Sequence, residues 1–410
     1  MKCFLACYDF RVPRSPRVLI AGAGIGGLTA ALSLLRRGID VDVYEQAAEL
    51  KEVGAGVQLS ANGTRALYAL GVGEGLKALS CEAVGKEIRL WNTGQTWKLF
   101  DLGAVSIERY GFPYFTVYRP DLLSVLADAV RREKPDAIRL SSRCAGFEQA
   151  GGGVRLHLES GGTASGDVLV GADGVHSRIR QALFGAGEAT FTGLMAWRGT
   201  IPMSRLPSHL ARLVGSNWVG PGAHVVHYPL RRGELMNFVG MVERPDWRVE
   251  SWSTRGTTEE LAQDFADWHE DVQAMIRGID TPFKWALVSR PPLKRWTVGR
   301  VTLLGDACHP MLPMLAQGAV MSIEDGYLLG RALEQYGREV ELALSRYESA
   351  RRARTRRAVI GSAENAQRFH DRRLSDPQAA QEYVDREWAE ERVSERYGWL
   401  FPYDVTTVEI

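Results

Sequence analysis

The feature that most constrains this chain is a glycine-rich loop between a short apolar strand and a helix near its start. The segment 17–21 (RVLIA) indicates a buried parallel strand, and Gly22, Gly24 and Gly27 follow it with the spacing G-x-G-x-x-G. The first glycine permits a tight turn, the second lets the backbone approach a pyrophosphate, and the third lets helix and strand pack closely. A second apolar strand ends at Glu45. This βαβ unit predicts a Rossmann-like α/β fold that holds an adenine dinucleotide.

The acid at the end of the second strand narrows the choice of nucleotide. Glu45 stands where its carboxylate can accept hydrogen bonds from both ribose hydroxyls, and Gln46 follows it as a further cofactor-binding candidate. FAD and NAD have a free 2′-hydroxyl at this ribose, whereas NADP carries a phosphate there. We therefore expect FAD or NAD, with a turn that serves packing alone as the alternative.

Charge and composition exclude several classes of protein. The 410 residues include 50 Lys and Arg against 49 Asp and Glu, so the net charge of +1 argues against nucleic-acid binding and against a polybasic membrane binder. The arginine run at 347–357 (YESARRARTRR) is interpreted as a solvated helix face. No apolar run reaches the length of a membrane span, and no signal-peptide pattern is present. Five cysteines without a C-x-x-C pair predict no disulfide framework, no metal site and a cytoplasmic location.

Two further motifs follow apolar strands later in the chain. They are Gly171-Ala-Asp173-Gly174 and Gly305-Asp306-Ala-Cys-His-Pro310. Together with the first glycine loop, in this order and at these separations, they resemble the group A flavoprotein monooxygenases, which are single-component FAD-dependent aromatic hydroxylases. The resemblance covers about residues 16–370. It implies bound FAD, NADH or NADPH that binds transiently as co-substrate, and O₂ that reacts through a C4a-hydroperoxyflavin.

The fold class expected from this resemblance is α/β. It comprises a Rossmann-like FAD-binding domain of the glutathione-reductase and p-hydroxybenzoate-hydroxylase type, an inserted antiparallel sheet that binds substrate, and C-terminal helices. The inserted region is dominated by alternating, Trp-containing segments and one predicted amphipathic helix over 258–276. The expected parts are an N-terminal extension (1–16), a FAD-binding domain in two stretches (17–183 and 291–338), a substrate domain inserted between these stretches (184–290) and a C-terminal helical region (339–410).

The resemblance also implies roles for single residues. Asp306 is the residue expected to hydrogen-bond the ribityl chain, and Arg119 is expected to contact the flavin side. Gln58 is expected close to the isoalloxazine. Gly318 and Ala319 open a helix whose backbone N–H groups would stabilise negative charge on the reduced flavin. In the family, the aspartate at the position of Asp173 is linked to both FAD and the nicotinamide nucleotide; a turn-stabilising role is the equal alternative.

The substrate side is predicted from the segment AHVVHYPL. Residues 224, 226 and 228 share one face of a strand, so His224 and Tyr228 are expected to face the flavin together. A phenol must lose its proton to be attacked, and a histidine with a pKa near neutrality is a suitable base. His227 faces the other way and is interpreted as structural, and Arg198 is the candidate for an acidic substituent. A structural histidine is the alternative for His224.

A small phenolic acid is the expected substrate, and salicylate the favoured one. The resemblance extends to salicylate hydroxylases, 3-hydroxybenzoate 6-hydroxylases and 6-hydroxynicotinate 3-monooxygenases. Gln58 stands where the 6-hydroxynicotinate 3-monooxygenases have histidine, which disfavours that substrate. Pro313, a substrate-binding candidate, stands where the 3-hydroxybenzoate 6-hydroxylases have glutamine, which disfavours that one. His309 and Cys308 are interpreted as structural. A larger aromatic or polyketide-like substrate and a flavin-binding module without turnover stay open as alternatives, and a homodimer stays open as the assembly.

Overall fold

The structure, a computed structural model, describes residues 15–50, 55–187, 189–246 and 254–410. Most of the expected N-terminal extension therefore lies outside the described residues. The strands of this part of the chain are β1 (Val18–Ala21), β2 (Val41–Tyr44), β3 (Gly56–Leu59), β4 (Cys81–Glu82), β5 (Gly85–Leu90), β6 (Thr96–Asp101), β7 (Phe115–Tyr118), β8 (Ile138–Arg139), β9 (Cys144–Ala150), β10 (Gly153–Leu158), β11 (Thr163–Gly166), β12 (Val168–Gly171), β13 (Thr190–Pro202), β14 (Val214–Gly220), β15 (Ala223–Leu230), β16 (Leu235–Glu243), β17 (Phe283–Ser289) and β18 (Val301–Leu303).

The α-helices within the described residues alternate with these strands and then dominate the C-terminal part. They are α1 (Ile25–Leu35), α2 (Ala61–Ala69), α3 (Gly73–Lys77), α4 (Ala104–Tyr110), α5 (Arg119–Glu133), α6 (Arg178–Phe184), α7 (Thr258–Asp264), α8 (Glu270–Arg277), α9 (Gly318–Tyr336), α10 (Val340–Phe369), α11 (Pro377–Glu387) and α12 (Glu390–Tyr397). None of them is both long and apolar enough to cross a membrane.

A five-stranded parallel sheet forms the centre of the first layer, in the order β18-β12-β1-β2-β8. The strands β1 and β2 are buried along their whole length, and the sequence of β1 is accordingly a continuous apolar run rather than an alternating one. In β2 the fully buried Asp42 interrupts the apolar residues and pairs with Arg17 and Lys134. The three motifs of the sequence all follow strands of this sheet, namely β1, β12 and β18. Their loops therefore lie at one edge of the sheet, the edge where α/β proteins bind dinucleotides.

Helices α1 and α9 pack unusually close together beside this sheet. A Cβ atom on Gly326 would lie 2.6 Å from the backbone nitrogen of Ala30, and one on Gly330 would lie 2.2 Å from Ser33 Oγ. Only glycine permits this approach, so the two glycines of α9 fix how the last helix of the FAD-binding domain lies on the first. The position of the α9 N-terminus relative to the glycine loop depends on this contact.

The second layer is a seven-stranded sheet in the order β17-β13-β16-β15-β14-β5-β6. All neighbours are antiparallel except β14 and β5, which are parallel. One face packs on α7 and α8 in a separate apolar core that includes Trp197, Trp218, Phe238 and Phe265. The opposite face carries Ala196, Met241 and Trp285, among others, which belong to the main core shared with the FAD-binding domain. The alternation of the strands thus places one set of side chains toward the cofactor domain. The parallel sheet and the antiparallel sheet together confirm the predicted α/β class.

Two expectations about this region need correction. The sheet is not confined to 184–290, because β5 and β6 join it from the stretch 85–101 that the sequence pattern had placed in the FAD-binding domain. The domain boundaries themselves stay predictions. The helix expected over 258–276 is broken into α7 and α8 at Phe265–His269, where His269 accepts a hydrogen bond from Asp271 N (3.2 Å) and starts the second helix. Breaking the helix there lets Phe265 and Trp268 both enter the core.

Candidate active site

The first glycine loop has the shape that a bound pyrophosphate needs. Gly22 has φ of +105°, and a Cβ there would lie 2.3 Å from Ala172 O. A Cβ on Gly27 would lie 2.0 Å from Gly22 O. At Gly24, by contrast, no described atom lies within 4 Å of a Cβ position, and Gly24 is the uncapped N-terminal residue of α1. Two glycines are therefore required by packing, while the middle one opens onto free space at a helix N-terminus, where an anion binds well.

Glu45 lies directly beside this loop. Its Oε2 accepts a hydrogen bond from Ala23 N (2.7 Å), and its Oε1 accepts one from Ala47 N (2.9 Å). A carboxylate has about four acceptor positions, so roughly two remain for ribose hydroxyls. Gln46 is exposed next to it. The arrangement fits the adenosine half of FAD as the sequence predicts, with the carboxylate already oriented by the backbone.

Asp306 follows β18, an outer strand of the same sheet, and the charge of Arg119 acts on its carboxyl. Asp306 follows Gly305, which has φ of +64°, and its side chain is exposed. The surrounding protein is nevertheless dense enough for burial to raise the pKa of this carboxyl, and the charge of Arg119 partly opposes that rise. The Asp306 side chain is therefore open to solvent but surrounded by protein, as in a groove. A groove with a carboxylate and a nearby guanidinium fits the ribityl and flavin parts of FAD.

Asp173 is engaged in a structural contact. Its Oδ2 accepts hydrogen bonds from Arg178 N (2.7 Å) and Ile179 N (3.2 Å), at the start of α6. This is the turn-stabilising role that the sequence left open as an alternative. The other carboxylate oxygen, Oδ1, has no hydrogen-bond partner among the described residues, so a cofactor role for Asp173 remains compatible with its position.

Helix α9 begins at Gly318, at the position that the resemblance implies. Ala316 has φ of +54° and turns the chain into the helix, and no side chain caps the first turn. A Cβ on Gly318 would meet nothing closer than Met311 Cγ at 3.8 Å. The N–H groups of Gly318 and Ala319 therefore adjoin open space, as stabilisation of an anionic flavin requires. Pro313 is exposed at the start of the short 3₁₀ turn before them.

A buried network of charges supports this helix, and sequence reasoning missed it. Arg351 of α10 contacts Glu324 (2.6 Å) and Asp325 (2.7 Å) of α9, and all three side chains are fully buried. Arg354 also pairs with Glu324 (2.8 Å), and His309 Nε2 lies 2.6 Å from Asp325 Oδ2. The arginine run of α10 is therefore not simply a solvated face. The signal in the sequence was the pair Glu-Asp in the middle of an otherwise apolar helix.

His309 also belongs to the only group of three potential metal ligands found among the described residues. Atoms of Cys308, His309 and Asp325 lie within 4.8 Å of one another. The Cys308 thiol donates to Gly305 O (3.3 Å), and burial raises the pKa of this thiol well above its usual value. A protonated thiol is a poor metal ligand. The cluster therefore fits the structural roles expected for Cys308 and His309 better than a metal site.

Tyr228 and Gln58 meet where the seven-stranded sheet adjoins the cofactor domain. A Cβ on Gly56 would lie 2.4 Å from Tyr228 Cε2, so the tyrosine ring covers Gly56. Gly56 N donates to Asn237 Oδ1 (2.7 Å), and the Tyr114 hydroxyl donates to Gln58 Oε1 (2.9 Å). Burial raises the pKa of both tyrosines. Neutral polar groups from the sheet thus lie against the loop that the resemblance places beside the isoalloxazine.

His224 lies on the same sheet face but in surroundings that the sequence did not predict. It is 1% exposed, and its Nδ1 lies 2.6 Å from Nε2 of His370, the residue that follows α10. Burial lowers the pKa of His224 well below its usual value and lowers that of His370 to about 4. The expected near-neutral pKa of His224 is therefore wrong. His370 had no local signal, because 146 residues separate the two histidines in the chain.

The remaining two candidates on the sheet lie on opposite faces. His227 faces the outer core near Trp218, and burial lowers its pKa to about 3, in keeping with a structural role. Arg198 pairs in register with Val239, and Val239 with Val226, so Arg198 shares the face of His224 and Tyr228. Its guanidinium lies 5.2 Å from the Trp285 ring, and it is 4% exposed.

Comparison with known proteins agrees with this geometry. Residues 16–362 match the family described as FAD binding domain. The chain is 37% identical over 393 residues to the 3-amino-4-hydroxybenzoate 2-monooxygenase PtnB3 of Streptomyces platensis, covering 96% of this chain and 97% of that one. It is also 37% identical over 401 residues to the 3-hydroxybenzoate 6-hydroxylase of Polaromonas naphthalenivorans strain CJ2, with 96% and 97% covered.

A solved structure shows the same fold. The substrate complex of a salicylate hydroxylase superposes with a TM-score of 0.78 at 27% identity, over 95% of this chain and 96% of that one. Its likeness extends through both layers and the C-terminal helices. NADH or NADPH is the typical co-substrate in this family. The chain therefore belongs to the FAD-binding-domain family and is a flavoprotein monooxygenase of the aromatic hydroxylase type, with FAD as its cofactor.

Proposed function

We propose that this enzyme hydroxylates a small phenolic acid of the hydroxybenzoate type at the expense of NADH or NADPH and O₂. The observation that carries the proposal is the contact of Tyr228 with Gly56, which places the polar face of the substrate sheet against the cofactor domain. The full-length likeness to two enzymes named for hydroxybenzoate substrates supports the same class. Salicylate, favoured by the sequence pattern, has support from one solved structure at lower identity.

The cofactor-binding residues would hold FAD along the edge of the parallel sheet. When bound, the flavin supplies hydride acceptance and the activation of O₂. In this proposal the first glycine loop, Glu45 and Gln46 hold the adenosine diphosphate part. Asp306 and Arg119 hold the ribityl and flavin part, Asp173 contacts the cofactor through its unpartnered oxygen, and Gln58 and the N-terminus of α9 adjoin the ring.

His224 has a definite proton arrangement in this proposal. His370 Nδ1 lies 3.6 Å from the Glu243 carboxylate, which accepts hydrogen bonds but does not donate them when ionised. This distance is too long for a hydrogen bond, but the negative charge favours the tautomer of neutral His370 that carries its proton on Nδ1. With that tautomer, His370 Nε2 accepts from His224 Nδ1, and His224 Nε2 is left without a proton. A bare Nε2 is a hydrogen-bond acceptor for the hydroxyl of a phenolic substrate, and His370 is the positioning residue that fixes this tautomer.

Variants of the two histidines separate these roles. His224→Ala should retain yellow, FAD-loaded protein but slow hydroxylation by about tenfold, the range for losing a hydrogen bond to the substrate hydroxyl. His370→Leu should lower kcat by about tenfold and change its pH profile, whereas His370→Gln should recover most of the rate because its amide oxygen can accept from His224 Nδ1–H. Equal rates in the Leu and Gln variants across pH would remove the positioning role.

The activity itself is tested with the purified enzyme and a panel of substrates. NADH and NADPH oxidation are measured with 3-hydroxybenzoate, 3-amino-4-hydroxybenzoate, 4-hydroxybenzoate, salicylate, 6-hydroxynicotinate and phenol, and products are identified by mass. An acid that stimulates oxidation and gains one oxygen supports the proposal and names the substrate; loss of CO₂ in the same step selects the salicylate type. FAD-loaded enzyme that none of these compounds stimulates would contradict it and favour a larger aromatic substrate.

Two coarser expectations accompany this function. A cytoplasmic location is proposed from the cysteine pattern, and a homodimer is proposed as the assembly. Sedimentation velocity of the FAD-loaded protein measures the second directly. A monomer at micromolar concentration would rule out the dimer without affecting the proposed reaction.

A further inference from the structure

Lys86 lies on the substrate-facing side of the seven-stranded sheet. It pairs in register with Gly215 of β14. A Cβ on Gly215 would lie 3.5 Å from Lys86 Cε and 3.9 Å from Tyr228 Cβ, so the lysine stem crosses the glycine toward Tyr228. Its Nζ lies 5.7 Å from the centre of the Tyr114 ring. A Cβ at position 215 would be in ordinary van der Waals contact with this stem, so Lys86 packs directly on the strand backbone.

The ammonium group has no protein counter-ion among the described residues. No carboxylate there lies within ion-pair distance of Lys86, and the neighbouring Glu87 faces the other side of the sheet, where it binds Arg212 (3.0 Å) and Ser216 (2.7 Å). On the adjacent strand Lys86 is paired with Phe100. Burial alone lowers the pKa of Lys86 to about 8. Lys86 is partly exposed, so its ammonium keeps some water, and an external anion can reach it and replace the counter-ion that the described protein does not provide.

The position of Lys86 connects it to the predicted substrate cleft. Tyr114, under the ammonium group, donates its hydroxyl hydrogen bond to Gln58, and Tyr228, beside the lysine stem, covers Gly56. Gln58 and Gly56 both belong to β3, the strand expected next to the isoalloxazine. His224 lies four residues from Tyr228 along β15, or about 13 Å. A ring between these two ends can present a hydroxyl to His224 and an acidic substituent toward Lys86.

We propose that Lys86 binds the carboxylate of the aromatic substrate and selects acids over neutral phenols. The inference rests on the proposed function, since it assigns the specificity of the same cleft. It replaces the assignment expected from the sequence, in which Arg198 had this role. The Arg198 guanidinium lies near Trp285 on the same face of the sheet as Lys86 but toward its opposite end, with three strands between β13 and β5.

Equilibrium binding tests the proposal independently of turnover. Oxidised, FAD-loaded enzyme is titrated with 3-hydroxybenzoate and with the neutral 3-hydroxybenzamide, and the change in flavin absorbance gives each Kd. Lys86→Met should weaken the acid by about 10- to 100-fold, the range for a hydrogen bond to a charged group, and leave the amide within about twofold. Lys86→Arg should restore most of the acid affinity. Lys98→Met is the matched control, because Lys98 is an exposed lysine of the adjacent strand paired with Asp101.

The pH dependence of acid binding is a second test of the proposal, made with the same titration. Binding of the acid requires the protonated ammonium, so wild-type affinity should fall as pH rises above about 8, the pKa of Lys86 in the ligand-free protein. In Lys86→Met this decline should be absent. Phe100, Gly215, Tyr114 and Tyr228 surround the group without an ionised partner, so no neighbouring carboxylate accounts for a decline in that range.

Other results would overturn the proposal. Equal weakening of the acid and the amide would make Lys86 a packing residue. Loss of acid affinity in Arg198→Met but not in Lys86→Met would return the role to Arg198. Failure of the wild type to bind any of the acids of the panel would also end it. Acid binding that depends on Lys86 without any hydroxylated product would leave the inference standing and contradict the proposed function instead.

Discussion

At the scale of single residues, one glycine decides where a functional group lies. Gly56 makes room for the Tyr228 ring. It has no positive φ, so it is required by space rather than by backbone conformation. It lies on a strand, where glycine is otherwise unfavourable. Gly56 therefore marks the close approach of a large side chain to the backbone at the proposed substrate cleft.

Substitution at Gly56 tests this explanation. Gly56→Ala places a Cβ 2.4 Å from Tyr228 Cε2, so the ring must move. We expect a loss of about 1–3 kcal/mol in the free energy of unfolding, as for other overpacked sites, together with slower hydroxylation. Urea denaturation of the FAD-loaded protein measures the loss. In a Tyr228→Ala background the same substitution should cost little; an equal cost in both backgrounds would show that the clash is not the cause.

At the scale of elements, α9 is held from two sides by different forces. Its glycines pack against α1, and its buried acids pair with arginines of α10. The pKa values of Glu324 and Asp325 are lowered even though burial, the largest single influence, would raise them, because Arg351, Arg354 and His309 together outweigh it. The N-terminus of α9, which adjoins the flavin site, is thereby fixed to both the first and the last parts of the chain.

Removing the buried cation should break this arrangement. Arg351→Met leaves two buried carboxylates without their shared partner, and we expect a loss of about 3–5 kcal/mol in the free energy of unfolding. Arg352→Met is the control on the same helix. Arg352 is half exposed and pairs with Glu348 at 3.3 Å, so its loss should cost no more than about 1 kcal/mol. Similar losses for the two variants in urea denaturation would contradict the structural role of Arg351.

At the scale of the whole molecule, two cores share the seven-stranded sheet, and three buried histidines lie on its two faces. Burial lowers the pKa of His224 well below its usual value, that of His227 to about 3 and that of His370 to about 4. The folded protein therefore keeps them neutral at pH values where the unfolded chain, with an ordinary value near 6.5, binds protons. Each histidine makes the free energy of unfolding dependent on pH.

The sign of this dependence follows from proton binding. Between about pH 6.5 and 4 the unfolded chain binds more protons, so stability should fall as pH is lowered, by at most about 1.4 kcal/mol per pH unit for each histidine. His227→Phe removes one of the histidines whose pKa is lowered by burial, so it should flatten this decline. Both ring nitrogens of His227 have no hydrogen-bond partner among the described residues, so the substitution breaks no hydrogen bond there. His157→Phe, at an exposed position on β10, is the control. Denaturation at several pH values measures the slopes; equal slopes in both variants would contradict the argument.

The parts of the protein that sequence alone could predict are those governed by local spacing. Gly22, Gly24, Gly27 and Glu45 lie within one βαβ unit, and each requirement acts on neighbouring backbone. The alternation of β15 likewise correctly placed His224 and Tyr228 on one face. Helix ends were less well predicted, since the helix expected over 258–276 is broken between α7 and α8 at Phe265–His269.

Tertiary structure alone decided the electrostatic state of the site. Local sequence determined the fold class, the cofactor loop and the identity of the polar residues on the substrate face, because chain connectivity and side-chain alternation act over a few residues. It did not determine the pairing of His224 with His370, the burial of Arg351 or the unpaired ammonium of Lys86. Those depend on desolvation and on partners that the fold brings from 26 positions away at Arg351 and 146 positions away at His224 or, at Lys86, does not provide among the described residues.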